Sequence, residues 1–365
     1  LHLSPARRFV PEGRVSVMAV VAALGIVSLG ACSPPLKSSR VRHRPAARSR
    51  AAAPAPAEIA VADEGDPPRT FSREEILAEL RGHYSHVSLP ADTPIDGVTE
   101  YRNVTFVRHG DTDLQLDLFV PAATGPWPGV VLVHGGGWER GTRRMENPFA
   151  RHLAARGFAV ATISYRLGAE GRFPNAAIDV QIAARWLHRQ GPAYGVAPTP
   201  VGLVGASAGG ALVTWVGARP PTADPEHTAI GAVVDIDGLV DFTAPALVAK
   251  ESQTPGEPTR FLGGSFAVRG EIWREASALS HVGPHCAPIL FINSTAPTPI
   301  LPGRREMRVW LSTLGIDSQM IVVPDTPHTF WLVEPWFDGV VDATANFLAR
   351  HLTANSRRSG TFRRP

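Results

Sequence analysis

Apolar residues fall into two alternating kinds of spacing between residues 98 and 323. Asp113-Leu-Gln-Leu-Asp-Leu118 alternates polar and apolar side chains, as a half-buried strand does, and a second extended stretch covers 98–107. Gly129-Val-Val-Leu-Val133 is continuously apolar, which suits a strand covered on both faces. From there helical and extended patterns take turns. Helices are predicted over 147–156, 174–189 and 208–218, and strands over 158–164, 201–204, 230–236, 288–292 and 319–323. Ahead of them, Ser72-Arg-Glu-Glu75 reads as a capping box, followed by Ile76, Leu77 and Leu80 at helical spacing. The fold class implied is α/β: a mostly parallel central sheet with helices on both faces, entered by an antiparallel edge. Ligands of such sheets bind beyond the carboxyl ends of the strands.

The ends of the chain have a different character. Arg7, Arg8 and Arg14 precede a short apolar run, Val15 to Leu29, in the manner of an export signal. The run closes on Leu29-Gly-Ala-Cys32, which resembles a bacterial lipobox, with Cys32 as the lipidated residue; the alternative is an ordinary secretory signal. Residues 33–69 are rich in Pro, Ala, Ser and Arg and hold almost nothing large and apolar. The expected organisation is a lipoprotein signal peptide over 1–31, a disordered tether over 32–69, one domain over 70–352 and a basic tail over 353–365. Within the domain, 239–284 is rich in Pro, Gly and Ser, breaks the strand–helix rhythm and is expected as a lid, one wall of the cleft, or a surface insertion. The nominal isoelectric point of 9.2 belongs to the ends. Residues 70–349 hold 21 basic and 28 acidic side chains, a net of −7, so the domain does not have the electrostatics of a nucleic-acid binder.

Two strand ends carry candidate chemistry. After the strand at 201–204 comes Gly205-Ala-Ser207-Ala-Gly209, a G-x-S-x-G elbow between a strand and a helix. Such a turn lifts the Ser207 hydroxyl above the sheet and aims the amides of the next helix at the same point. After the strand at 129–133 comes His134-Gly-Gly-Gly-Trp138. Three consecutive glycines are entropically costly and suit a loop that must bring bare backbone N–H groups to a substrate oxygen. Gly136 and Gly137, with Ala208 after the serine, are the expected oxyanion donors. His134 reads as a residue that fixes this loop. Trp138 is expected either to line an acyl or alcohol pocket or to pack over the glycines. Metal-ligand clusters, phosphate loops and dinucleotide fingerprints are absent from the sequence, so neither metal nor cofactor is expected.

Taken together, HGGGW, Ser164-Tyr-Arg-Leu167, Pro174-Asn-Ala-Ala-Ile-Asp179, Ala184-Arg-Trp-Leu187 and GASAGG resemble an α/β-hydrolase of the hormone-sensitive-lipase and carbohydrate-esterase kind. The resemblance covers most of residues 98–350 and implies a serine carboxylic ester hydrolase that acts through an acyl-enzyme. It also implies a scaffold role for Arg166 and Asp179. His328, in Pro324-Asp-Thr-Pro-His-Thr-Phe-Trp331, follows the last strand where the family's general base stands, and the run is similar to a branch acting on esterified plant polysaccharides. Trp331 is the expected sugar-stacking residue.

The acid departs from the family pattern. Where relatives carry H-G-x-x-D, this chain has Asn293-Ser-Thr-Ala-Pro297. The first carboxylate beyond is Glu306, taken here as the expected acid; Asp237 and Asp241, after the preceding strand, are the alternatives, and Asp325 stands too close to His328. The expected function is hydrolysis of acetyl, methyl or feruloyl esters of pectin or xylan by an exported, lipid-anchored enzyme. The alternatives are a general carboxylesterase or lipase, and an inactive hydrolase fold used as an envelope binding module.

Overall fold

The computed structural model describes residues 71–220, 228–295 and 301–353. The signal-like segment, Cys32, the tether and most of the basic tail lie outside these residues. Helix α1 (Arg73–Leu80) opens with the predicted capping box: the Ser72 hydroxyl accepts from the Glu75 amide and the Glu75 carboxylate accepts from the Ser72 amide. An antiparallel pair follows, β1 (Val98–His109) and β2 (Thr112–Pro121). Then come β3 (Gly129–Val133), α2 (Asn147–Ala155), β4 (Ala159–Ile163), α3 (Asn175–Gln190), β5 (Val201–Ala206), α4 (Ala208–Ala218) and β6 (Ile230–Ile236). The chain continues through three short helices, α5 (Pro245–Gln253), α6 (Glu257–Phe261) and α7 (Phe266–Ala276), and then β7 (Ile289–Asn293), α8 (Arg304–Thr313), β8 (Ser318–Val322) and α9 (Phe337–Leu348).

The eight strands form one sheet in the order β1-β2-β4-β3-β5-β6-β7-β8. β2 runs antiparallel to both β1 and β4, and every other pairing is parallel. The continuous apolar run of β3 has a direct physical reading. Val131 and Val133 point into the layer shared with α3 and α4, whereas Val130 and Leu132 point into the layer shared with α2 and α9. Successive side chains of a strand face opposite ways, so a central strand between two helical layers needs apolar residues at every position.

Two buried polar clusters tie the antiparallel edge to the helices. Asp179 of α3 accepts a bidentate pair of bonds from Arg166 (2.9 and 2.8 Å), a third from the Arg166 amide at 2.9 Å, and contacts His109 Nε2 at 3.0 Å. This is the scaffold arrangement the family resemblance implies. Asp117 of β2 meets Arg143 at 3.1 Å and Arg102 at 3.0 Å. Burial pushes the Asp117 carboxyl up, but Arg143, the Asn103 amide and Arg102 together outweigh it and hold it below the ordinary carboxylate range.

Between β6 and β7, where the strand–helix rhythm breaks, the structure holds α5, α6, α7 and a 3-10 turn at Ala278–His281. Leu247 of α5, Phe261 of α6 and Trp273 of α7 are buried, which explains how a Pro- and Gly-rich stretch folds: a few large apolar side chains anchor short helices between breakers.

Candidate active site

Ser207 follows β5 and precedes α4 with φ 51° and ψ −117°, a strained conformation for a residue with a Cβ. The small residues around it have steric reasons. A Cβ on Gly209 would collide with the carbonyls of Val133 and His134, so the start of α4 can cross the end of β3 only without a side chain there. The glycine loop packs on the elbow from the other side: a Cβ on Gly135 would come 3.1 Å from the Cβ of Ser207.

His328 lies on the loop after β8. Its Nε2 is 2.9 Å from Ser207 Oγ and its Nδ1 is 3.0 Å from Asp237 Oδ2. Asp237 is 1% exposed and directly follows β6. Its other oxygen accepts from the Ser294 amide at 2.8 Å. The structure therefore joins a hydroxyl, an imidazole and a carboxylate in one hydrogen-bonded line, drawn from three strand ends.

The acid in that line corrects the choice of Glu306. Glu306 sits in the first turn of α8 and faces solvent, while Arg304, two positions earlier, is buried. Residues two apart on a helix point in nearly opposite directions, so one helix cannot aim both at the core. Arg304 occupies the inward position. It bonds to the Asn293 side chain and the Gly238 carbonyl, and contacts Asp235 at 3.3 Å and Asp237 at 3.7 Å. Asp241, the other alternative, accepts from the amide and hydroxyl of Thr243 at 2.8 and 2.7 Å and closes its own turn.

The glycine loop needs its glycines for their backbone. Gly136 and Gly137 have φ values of 118° and 63°. Gly137 and Ala208 border the same cavity as Ser207. His134 is buried, bonds through Nδ1 to the Gly135 carbonyl at 2.7 Å and stacks on Tyr165 at 4.5 Å, while the Tyr165 hydroxyl donates to the His134 carbonyl. It fixes the loop and takes no part in the Ser207 line. Of the two roles weighed for it, Trp138 takes the first: it lines the cavity at Ser207, and its ring stacks on Phe261 at 4.4 Å.

Trp331 differs from expectation. It is 2% exposed, donates from Nε1 to Glu146 Oε1 at 3.2 Å, and meets the His328 ring edge-on at 5.6 Å. A ring so enclosed packs on His328 and offers too little surface to stack on a sugar, although it borders the cavity between α1 and the His328 loop. The remaining expected residue, Cys32, lies outside the described residues.

Two cavities meet at Ser207 and His328. The first, about 350 Å³, runs beneath the helices between β6 and β7 and is walled by Trp138, Leu239, Leu247 and Pro258, with Lys250 and Glu257 also on its lining. The second, about 390 Å³, lies between α1 and the loop that carries His328. The helical segment at 239–284 therefore forms one wall of the cleft.

A family model described as BD-FAE matches residues 116–302, just over half of the chain; the match ends before His328. Esterase LipC of Mycobacterium tuberculosis (strain ATCC 25618 / H37Rv) is 28% identical over 258 residues, which is 62% of this chain and 62% of LipC, less than two thirds of that relative. Among solved structures, a truncated carbohydrate esterase from gut microbiota superposes with a TM-score of 0.54 at 21% identity, covering 71% of this chain and 99% of that one. An inhibited esterase B from Lactobacillus rhamnosis superposes with a TM-score of 0.61 at 20% identity, covering 78% and 94%. With a sheet of this order, a nucleophile elbow after β5 and a matching family model, the chain belongs to the BD-FAE family and has the α/β-hydrolase fold.

Proposed function

We propose that this protein is a serine carboxylic ester hydrolase working through an acyl-enzyme. The observation that carries the reading is the unbroken line from Ser207 Oγ through His328 to Asp237. In this mechanism Ser207 Oγ attacks the ester carbonyl carbon and His328 Nε2 takes its proton. Asp237 holds the imidazole in the tautomer that accepts at Nε2 and stabilises the imidazolium. The amides of Gly136, Gly137 and Ala208 receive the negative oxygen of the tetrahedral intermediate. As the intermediate collapses, His328 gives its proton to the leaving alcohol. A water then repeats the sequence on the acyl-enzyme, releasing the acid and free Ser207.

The substrate reading is an esterified polysaccharide carrying acetyl, methyl or feruloyl groups. Its support is the resemblance of the run at 324–331 to enzymes of that kind, and the structural neighbours, which include a carbohydrate esterase and a bifunctional GH43-CE protein of Bacteroides eggerthii. A general esterase is the second reading, favoured by the names of curated relatives such as LipC. The inactive binding module loses its motive, because it rested on a missing acid and Asp237 stands against His328.

For location, the reading is export and lipid anchoring at Cys32, supported by Arg7, Arg8 and Arg14 before the apolar run and by Leu29-Gly-Ala-Cys32. Cys32→Ser should move the protein from membranes to the soluble fraction, since this residue alone would bear the anchor. Unchanged fractionation would remove that part of the reading.

Release of p-nitrophenol from p-nitrophenyl acetate tests the enzyme reading. No turnover above that of Ser207→Ala would overturn it. Acetylated xylan and methylated pectin, compared with acyl esters of rising chain length, separate the two substrate readings.

A further inference from the structure

The two cavities beside Ser207 differ in chemistry. The first is walled by apolar side chains together with Lys250, Glu257 and the Asp237 already bound to His328, whereas the second has a buried carboxylate outside that line, Glu146, among its lining residues. Glu146 is 1% exposed and lies on a 3-10 turn a few residues beyond the glycine loop. One of its oxygens accepts from Trp331; the other, Oε2, is buried with no hydrogen-bond partner. A bond to Trp331 needs a single acceptor, and an amide or hydroxyl would serve. Leaving the second oxygen of a buried carboxylate unpaired costs free energy that a purely structural role does not recover. Burial pushes the Glu146 carboxyl up to about 7, against the opposing pull of Trp331 and Arg73, as befits a carboxyl short of donors.

Proton delivery distinguishes the cavities. In the ester hydrolase reading, on which this inference rests, the leaving oxygen receives its proton from His328 Nε2 and departs along the loop that bears it. Pro327 and Thr329, on either side of His328, line the second cavity and not the first. The leaving alcohol therefore belongs in the second cavity and the acyl group in the first.

We propose that the cavity between α1 and the His328 loop is the leaving-alcohol subsite, that it takes a polyhydroxylated alcohol such as a sugar ring, and that Glu146 Oε2 accepts a hydrogen bond from one of its hydroxyls. Glu146 is then a specificity residue for the alcohol half of the ester. The opposite wall comes from Ile76 and Leu80 of α1, so the helix ahead of the sheet shapes the same subsite.

The test uses the full chain and three substrates: ethyl acetate, methyl xyloside monoacetate and p-nitrophenyl butyrate, with p-nitrophenyl acetate as reference. Glu146→Leu should lower the ratio of kcat/KM for the xyloside acetate to that for ethyl acetate at least about tenfold, mainly through KM. Glu146→Gln, whose single amide oxygen stays with Trp331 and whose NH2 group then replaces Oε2, should leave the ratio nearer to that of Glu146→Leu than to wild type. Leu80→Trp, which narrows the cavity from α1 and avoids any change to buried charge, should lower the same ratio and serves if Glu146→Leu does not fold. For all three variants the acetate-to-butyrate ratio should stay within about twofold of wild type. An unchanged alcohol ratio, or a shift in acyl preference instead, overturns the proposal while ester hydrolysis stands. A wild-type protein that cleaves none of these esters overturns the hydrolase reading, and this inference with it.

Discussion

Ser207 and Asp237 each stand one residue beyond the same step of the sheet. Ala206 of β5 and Ile236 of β6 are partners in register, and the residues that follow the two strands are the proposed nucleophile and the proposed acid. Both have a φ of 51°. The Ser207 amide donates to the Ile236 carbonyl at 2.8 Å, and the Asp237 amide donates to the Ile292 carbonyl at 3.0 Å, so the sheet's own hydrogen bonding continues through the two catalytic candidates. Their separation is thus set by strand spacing in the rigid centre of the sheet, and His328 closes over them from the end of β8.

In the proposed mechanism this placement makes Asp237 the acid on which turnover depends. Asp237→Asn should lower kcat by three to four orders of magnitude, roughly the loss seen when a triad aspartate can no longer hold its histidine's tautomer. Glu306→Gln should stay within about twofold of wild type. Steady-state kinetics on p-nitrophenyl acetate compares them, and a collapse confined to Glu306→Gln would reverse the assignment.

Ser207 is held in a strained backbone, which predicts opposite effects on activity and stability. Ser207→Gly should abolish the acyl-enzyme burst and cut kcat by at least about a thousandfold. It should also melt no lower than wild type, because glycine adopts a φ of 51° without a Cβ clash, a relief on the order of 1 kcal/mol. A clear loss of thermal stability would count against strain at the elbow.

Arg304 should behave as a positioning residue. It is 2% exposed and meets Asp235, Asp237, the Gly238 carbonyl and Asn293 at the carboxyl end of the sheet. Arg304→Met leaves Asp235 buried without its cation and should cost about 3–5 kcal/mol in denaturant unfolding. In the fraction that remains folded, kcat should fall with little change in KM, since what loosens is the seat of Asp237. Arg304→Lys should recover part of the stability and less of the kcat, because an ammonium cannot span the same set of acceptors.

Glu146 gives stability a signed pH dependence. Its carboxyl, facing Trp331, Arg73 and Tyr165, is raised from an ordinary 4.5 to about 7 in the folded protein. The folded state then holds this proton more tightly than the unfolded chain. The stabilisation is complete below about pH 4.5 and is lost as pH rises through 7, a change of roughly 3 kcal/mol. Glu146→Gln has no proton to lose. The melting temperature of Glu146→Gln minus that of wild type should therefore become more positive from pH 5 to pH 8, whatever its sign at pH 5. A difference independent of pH would show that the carboxyl titrates in its ordinary range.

Much of the fold and part of the site were legible in the residues themselves, for local reasons. A strand buried on both faces is apolar at nearly every position, Asp235 of β6 being the exception that Arg304 meets, and the β3 and β6 boundaries fall where the pattern predicts. A sharp strand-to-helix turn needs small neighbours, and so GASAG marks Ser207 before any coordinate is known. His328 was reachable through its place after the last strand. The acid, the alcohol pocket and the role of Trp331 were not, because each depends on which elements become neighbours. Asp237 becomes the partner of His328 only when β6 lies next to β5 in matching register, and Glu306 is excluded only by the rotation of α8 that turns Arg304 inward. Trp331 reads as an exposed aromatic beside the base until α2, α9 and the Glu146 turn close around it. Chain pattern determines which segments are strands, helices and tight turns, since those depend on near neighbours; the partners of a buried charge or ring are decided by packing between segments far apart in the chain.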